Sequence, residues 1–198
     1  MRIKINIFMG ELSLTHYYTP AEYFEIDENS DFRYEYIDGE MVAMAGTSMN
    51  HNEISANILV SFRAGIKQAG RKCKTFMSDI RFYVGSKNSY FYPDVMITCS
   101  EKDFKDGRNA EEAVLVVEVL SDSTQRKDLS LKLHAYMQVP SLQYYLVIDQ
   151  DKPLVHVYQR SQNDWLISLF DSLEQVIELP VLSISISLQA IYENIEWA

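Results

Sequence analysis

From Val114 to Leu120 the chain reads Val-Leu-Val-Val-Glu-Val-Leu, which sets one carboxylate, Glu118, inside an otherwise wholly apolar run. A strand this apolar on both faces is covered on both sides. Burying an ionised Glu118 there without a partner is costly, so a metal ion, a lysine or a proton-sharing acid must compensate it. Upstream, Phe91-Tyr92-Pro93-Asp94-Val95-Met96-Ile97 is a second apolar run with a lone carboxylate. Two such strands, if neighbours in register, bring Asp94 and Glu118 together on one divalent cation. Oxygen-only ligands suit magnesium or manganese, which keep several waters for a substrate phosphate. Such an ion lowers the pKa of bound water and offsets charge on a pentacoordinate phosphorus.

A lysine near that water would position it or stabilise the developing negative charge. Lys132 is the candidate. Leu129, Leu133, Tyr136 and Met137 form an apolar stripe on a helix expected from about Gln125 to Val139, and Lys132 lies at its edge. From an edge, a long side chain reaches along the sheet toward Glu118 while its head stays polar. The alternative is a surface pair of Asp128 and Lys132 at four-residue spacing. Two further acids, Glu35 and Glu40, share one face of a hairpin, with Arg33 placed to neutralise one of them. His51, at a helix start, either contacts a phosphate or carboxylate or simply caps and packs. Tyr90, Tyr92, Tyr144 and Tyr145 either stack on bases or pack within strands.

The elements that must position these residues follow from local signals. Thr19-Pro20-Ala21-Glu22 is a capped helix start, with the helix running to about Glu28. Phe32–Ile37 and Glu40–Ala45 flank the hairpin turn Asp38-Gly39. Asn50-His51-Asn52-Glu53 reads as a second capping box. Ile54, Ile58, Phe62, Ile66 and Ala69 then recur at helical spacing until Gly70. Strands are expected over Lys74–Val84, Tyr90–Thr98 and Ala113–Leu120, separated by acidic surface loops. After the Gln125–Val139 helix, stopped by Pro140, come the strand Gln143–Ile148 and a hairpin of Leu154–Tyr158 with Trp165–Phe170. Ser183–Leu188 alternates as a half-exposed strand, and a last helix spans Leu188–Ile195. The order helix, strand, strand, strand, helix, strand makes an α/β unit with a mixed central sheet, extended by N- and C-terminal hairpins.

Length and charge bound the rest. The chain of 198 residues suits one domain over 17–198, with residues 1–16 read as a frayed leader. No apolar stretch is long enough to span a bilayer. Cys73 and Cys99 lack metal-ligand spacing and read as buried reduced thiols in a cytoplasmic protein. The net charge of −10 counts against bulk nucleic-acid binding, yet Ile54–Ser78 holds five cations and no acid. Arg63, Lys67, Arg71, Lys72 and Lys74 are either a solvated helix end or a phosphate-contacting ridge. There is no Ser-His-Asp arrangement, phosphate-cradling glycine loop or dinucleotide fingerprint.

Tyr92-Pro93-Asp94 followed by Glu118-Val119-Leu120 resembles the proline-aspartate…(Asp/Glu)-x-Lys signature of the restriction-endonuclease-like superfamily. More closely, the chain resembles the Uma-two family of restriction endonucleases. The matching segments are Tyr18–Tyr23, Tyr34–Glu40, His51-Asn52, Tyr92–Asp94, Val117–Ser121 with Ser123-Thr124, Asp128…Lys132 and Tyr144–Asp149. They cover roughly residues 17 to 195. The resemblance implies a restriction-endonuclease-like αβββαβ core and magnesium- or manganese-dependent hydrolysis of DNA phosphodiesters, carried out by a homodimer. It implies that Asp94 and Glu118 bind the metal, Lys132 assists the attacking water, and Glu35 supplies an early acid, with Glu40 and Glu53 as rivals. The superfamily lysine belongs two residues after the glutamate, where this chain has Leu120; the family pattern offers Lys132 instead. The alternative is a catalytically silent nuclease fold serving as a binding or dimerisation module.

Overall fold

Thr19 caps the first helix as its sequence requires. Its hydroxyl accepts from the Glu22 backbone N–H, and the Glu22 carboxylate accepts from the Thr19 N–H at 2.7 Å. In this computed structural model, which describes residues 2–8, 11–44, 46–121 and 128–197, that helix is α1, Pro20–Asn29. It is preceded by strands β1 (Arg2–Phe8) and β2 (Glu11–Tyr17), paired antiparallel where a frayed leader was expected. Strands β3 (Tyr34–Ile37) and β4 (Glu40–Ala43) pair with Glu35 opposite Val42 and Ile37 opposite Glu40, the register expected from Asp38-Gly39. Both turn residues have positive φ, 46° and 100°, as a tight hairpin demands; a side chain at Gly39 would run into the Tyr17 ring.

Helix α2 spans Met49–Gln68, and its cap is Ser48, whose hydroxyl accepts from the His51 N–H; Asn50 lies inside the helix. Of the three strands expected after it, the first two are broken. Lys74–Val84 divides into β5 (Lys74–Met77) and β6 (Arg81–Val84) at Ser78, whose φ is 49°. Tyr90–Thr98 divides into β7 (Ser89–Phe91) and β8 (Val95–Thr98) around Tyr92-Pro93-Asp94. The polar loop that follows carries the short helix α3 (Asp103–Asp106) and strand β9 (Asn109–Ala110). Then come β10 (Ala113–Leu120), a π-helical turn at Asp128–Lys132, helix α4 (Leu133–Tyr136) and β11 (Tyr144–Asp149). Part of the Gln125–Val139 helix, and the matching pair Ser123-Thr124, lie outside the described residues. The chain ends in β12 (Val155–Ser161), β13 (Asp164–Phe170), β14 (Val176–Leu179), β15 (Ile184–Ser187) and helix α5 (Leu188–Ile191).

Two sheets result. One orders β13-β12-β11-β10-β8-β5, with only β10 and β11 parallel among its neighbours; the other orders β4-β3-β7-β6-β9. The αβββαβ core is therefore α2, β5, β8, β10, the π turn with α4, and β11. A mixed α/β architecture is what the strand pattern called for. Apolar residues on alternate sides of β10 serve two cores. Leu115, Val117 and Val119 pack under α2 with Ile54, Ile58 and Phe62, while Val116 and Leu120 join Tyr136, Phe82 and Phe91. Burial on both faces is what the unbroken run at Val114–Leu120 demanded.

Cys73 and Cys99 are joined by a disulfide, where reduced thiols were expected. They flank the paired residues Lys74 and Thr98 of β5 and β8, so sheet register sets them opposite one another. The bond closes a loop across a sequence separation of 26. Opening it should cost about 3.5 kcal/mol, the loop-closure entropy returned to the unfolded chain. Denaturant unfolding with and without reductant, alongside thiol titration of the unfolded protein, measures this. Two free thiols in protein purified without reductant would overturn the bond.

Candidate functional site

Glu118 is buried, 3% exposed, on the side of β10 that faces α4. Burial of a carboxylate requires partners, and it has them: Lys132 Nζ lies 2.9 Å from Oε2, and the Tyr136 hydroxyl donates to Oε1 at 2.8 Å. One helical turn separates Lys132 from Tyr136, so the end of the π turn and α4 grip both oxygens from one face. Burial, then the nearby Glu118 charge, pushes the Tyr136 phenol well above its ordinary range, so it keeps the proton that it donates.

Lys132 is itself buried, 5% exposed. Its Nζ also lies 2.9 Å from Oε1 of Glu35, which is 3% exposed on β3. The hairpin register explains the reach: Glu35 and Ile37 point the same way, and Ile37 packs against the core that contains Ala135 and Tyr136 of α4. Arg33 turns instead to Asp79 at 3.6 Å, and Glu40 is exposed at the hairpin's end. Glu53 is exposed on α2. Three of the four residues singled out in the sequence, Glu35, Glu118 and Lys132, thus meet around one ammonium group.

Asp94 is held differently. The β8–β10 ladder ends with Val95 opposite Val117, so one further step sets Asp94 opposite Glu118, just past the strand end. There its Oδ2 accepts from the Val119 backbone N–H at 2.7 Å and lies 3.3 Å from His51 Nε2. His51 comes from the first turn of α2 and is buried, so the histidine serves the carboxylate. Asp94 is thereby tied to the residue next to Glu118, while its side chain stays 14% exposed. Among the described residues no three His, Cys, Asp or Glu side chains converge as a metal cage. Tyr90 stacks on Tyr83 and Tyr23, Tyr144 and Tyr145 are fully buried, and all three belong to the protein interior.

Two participants escaped the sequence reading. Tyr136 read as one more apolar position, although its spacing of four from Lys132 was a usable signal. Tyr92 read as packing, but it joins a buried network. Its hydroxyl donates to Asp27 Oδ2 at 2.6 Å and accepts from Arg81 Nε at 2.9 Å. Because Tyr92 directly precedes Pro93-Asp94, this network fixes where the Asp94 corner begins.

Comparison with known proteins matches these features to one family. The family model Uma2, described as "Putative restriction endonuclease", covers residues 20–190. Two proteins of Synechocystis sp. (strain ATCC 27184 / PCC 6803 / Kazusa) are similar: "Uncharacterized protein sll1609", 36% identical over 81% of this chain and 91% of its own length, and "Uncharacterized protein slr1290", 32% identical over 89% and 92%. A crystal structure from Anabaena variabilis ATCC 29413, titled as a putative nuclease belonging to DUF820, superposes with a TM-score of 0.70. It covers 87% of this chain and 96% of that one at 19% identity, and so speaks to the fold alone. No helix among the described residues is long and apolar enough to cross a membrane. With the αβββαβ core, the Pro93-Asp94 corner and Glu118 beside a buried lysine already in place, the match over residues 20–190 makes this chain a member of the Uma2 family.

Proposed function

We propose that the protein hydrolyses phosphodiester bonds of DNA with magnesium or manganese, using Asp94 and Glu118 to hold the ion. The observation that carries this reading is the buried Lys132 ammonium, 2.9 Å from Glu118, one residue from the N–H that fixes Asp94. The donors fit a hard cation: two carboxylates of neighbouring strands offer oxygen only, and magnesium is commonly bound by one or two carboxylates plus water. When bound, the ion would supply Lewis acidity and a more acidic water.

The chain's own residues have separable tasks. Tyr136 and Lys132 lock the Glu118 carboxylate in one orientation. His51 and the Val119 N–H do the same for Asp94. Placed 2.9 Å from both Glu35 and Glu118, the Lys132 ammonium acts by charge, orienting the attacking water and stabilising the phosphorane oxygens. In the hydrolysis, the water oxygen bonds to phosphorus and gives up one proton to bulk water, one phosphorus–oxygen ester bond breaks, and the departing alkoxide takes a proton from bulk water.

The test is cleavage of supercoiled, linear and single-stranded DNA with magnesium or manganese against a chelator control. Asp94→Ala should reduce the rate on the order of 100-fold or more, because it removes an anchor of the transition-state charge clamp. Folded wild-type protein that cuts none of these substrates would sink the proposal. Leu120 at the superfamily's lysine position favours the second reading, a silent binding or dimerisation module. Exposed Leu166, Ile167 and Leu169 on β13, the outer strand of the six-stranded sheet, suit pairing with a second copy. Calorimetric titration separates the two: only an intact site takes up manganese in a way that Asp94→Ala abolishes.

A further inference from the structure

The C-terminal half of α2, the turn after it and the start of β5 enclose a cavity of about 620 Å³ lined by Arg63, Lys67, Arg71 and Lys74, with Thr75 and Phe76 behind them. All four cations are exposed and no acid lines the cavity, in a chain whose net charge is −10. Random placement of 18 basic residues among 28 acidic ones does not favour such a cluster. Local structure accounts for part of it. Lys67 suits the negative end of the helix dipole, Arg71 Nη2 donates to the Val181 carbonyl at 2.9 Å, and Lys74 Nζ sits 4.3 Å from the Phe104 ring centre. Arg63 is too far from the helix end for the dipole to explain it. Thr75, which also lines the cavity, has a buried hydroxyl oxygen with no hydrogen-bond partner among the described residues.

Geometry selects the ligand. Arg63 and Lys67 lie four residues apart on one face of α2, about 6 Å along its axis, which covers close to two successive phosphates of one strand at about 3.4 Å of duplex axis each. His51, at the other end of the same helix, touches Asp94. From His51 to Arg63 and Lys67 is about 18 to 24 Å at 1.5 Å per residue, or roughly half to two-thirds of a turn of duplex. We propose that this groove binds the sugar–phosphate backbone of double-stranded DNA through Arg63, Lys67, Arg71 and Lys74, about half to two-thirds of a helical turn from the ester that is cut. Its position relative to the cut rests on the nuclease reading above; the binding itself does not.

Fluorescence anisotropy with a labelled duplex about two helical turns long, in chelator so that nothing is cut, tests the groove across about 50 to 200 mM salt. The wild-type protein should bind with a steep salt dependence. Arg63→Ala with Lys67→Ala should bind about tenfold or more weakly at low salt, with a log–log salt slope shallower by about two, on every duplex sequence tried. Lys105→Ala with Lys152→Ala, cations lying outside this groove, should change neither quantity. Thermal melting of each variant shows that the exposed substitutions leave the fold intact. Wild-type protein that fails to bind duplex at low salt, or a double variant with unchanged affinity and slope, overturns the groove. Intact binding without any metal-dependent cleavage leaves the groove standing and removes the nuclease reading.

Discussion

Replacing Lys132 with methionine should lower the unfolding free energy by about 3–5 kcal/mol, far more than an ordinary substitution. The side chain is roughly conserved in volume, so packing is not the cause. What changes is that Glu35 and Glu118, each 3% exposed, lose the ammonium 2.9 Å from both. A buried carboxylate deprived of its counter-charge must either stay ionised at high cost or take up a proton. Neutralising the acids as well should therefore restore much of the loss. Glu35→Gln, Glu118→Gln and Lys132→Met combined should be more stable than Lys132→Met alone, a strongly non-additive cycle. Lys132→Arg keeps the charge, but a planar fork cannot occupy a point between two carboxylates fixed for an ammonium, so rescue should be partial. Urea denaturation of the four proteins at neutral pH supplies the numbers. A methionine variant with wild-type stability would mean that the ammonium does not hold these acids, and the charge-based role of Lys132 would fall with it.

How much of this was legible before the fold was known depends on whether the cause was local. The acids at Asp94 and Glu118 were legible because a charge in an apolar strand violates the pattern around it. The Asp38-Gly39 hairpin and the Thr19 cap were legible because turn and cap chemistry is set within four residues. The split of Lys74–Val84 was not, since Ser78 with φ of 49° breaks a run whose β propensity continues on both sides. The second split was passed over as well, although Pro93 inside the strand expected over Tyr90–Thr98 was a usable signal, because proline is poorly tolerated within a sheet. The α2 cap was misplaced by two residues because Ser48 and Asn50 are both competent acceptors, and only backbone geometry chooses between them. Pairing of Cys73 with Cys99, and of Glu35 with Lys132, depends on register between segments far apart in sequence. No window of residues contains that information. The notion that Arg33 neutralises Glu35 failed for the same reason, since the true partner lies 97 positions away, at 132 against 35.

The second large effect belongs to the network beneath the Asp94 corner. Asp27 of α1 is 1% exposed and Arg81 of β6 is 5% exposed, with Nη2 and Oδ2 2.7 Å apart. Tyr92 Oη and Arg81 Nε also donate to Oδ2, and the Tyr34 N–H donates to Oδ1. Burial by itself would push the Asp27 carboxyl up, but the bonds from Tyr92, Arg81 and the Tyr34 N–H, with the guanidinium charge, outweigh it and hold the group below its ordinary value. Tyr92 is pushed up to about 12, first by burial and then by its bond to Asp27, so its hydroxyl remains a donor across the working pH range. Arg81→Met should thus cost about 3–5 kcal/mol at neutral pH, because it leaves Asp27 buried with its main counter-charge gone. The sign of the pH dependence follows from the depressed carboxyl. Its contribution is complete above the unfolded value of about 3.9 and is lost as pH falls through the lower folded value. Wild-type protein should lose stability on acidification below about pH 4, and Asp27→Asn, which has no proton to gain, should show a flatter acid limb from a lower starting point. Guanidinium denaturation from neutral pH down to about pH 3 decides the matter. Parallel acid limbs for the two proteins would show that Asp27 is not the group that links α1 to the strand leading into Pro93-Asp94. Separate limbs would place the anchor of the Asp94 corner on a helix remote from it in sequence.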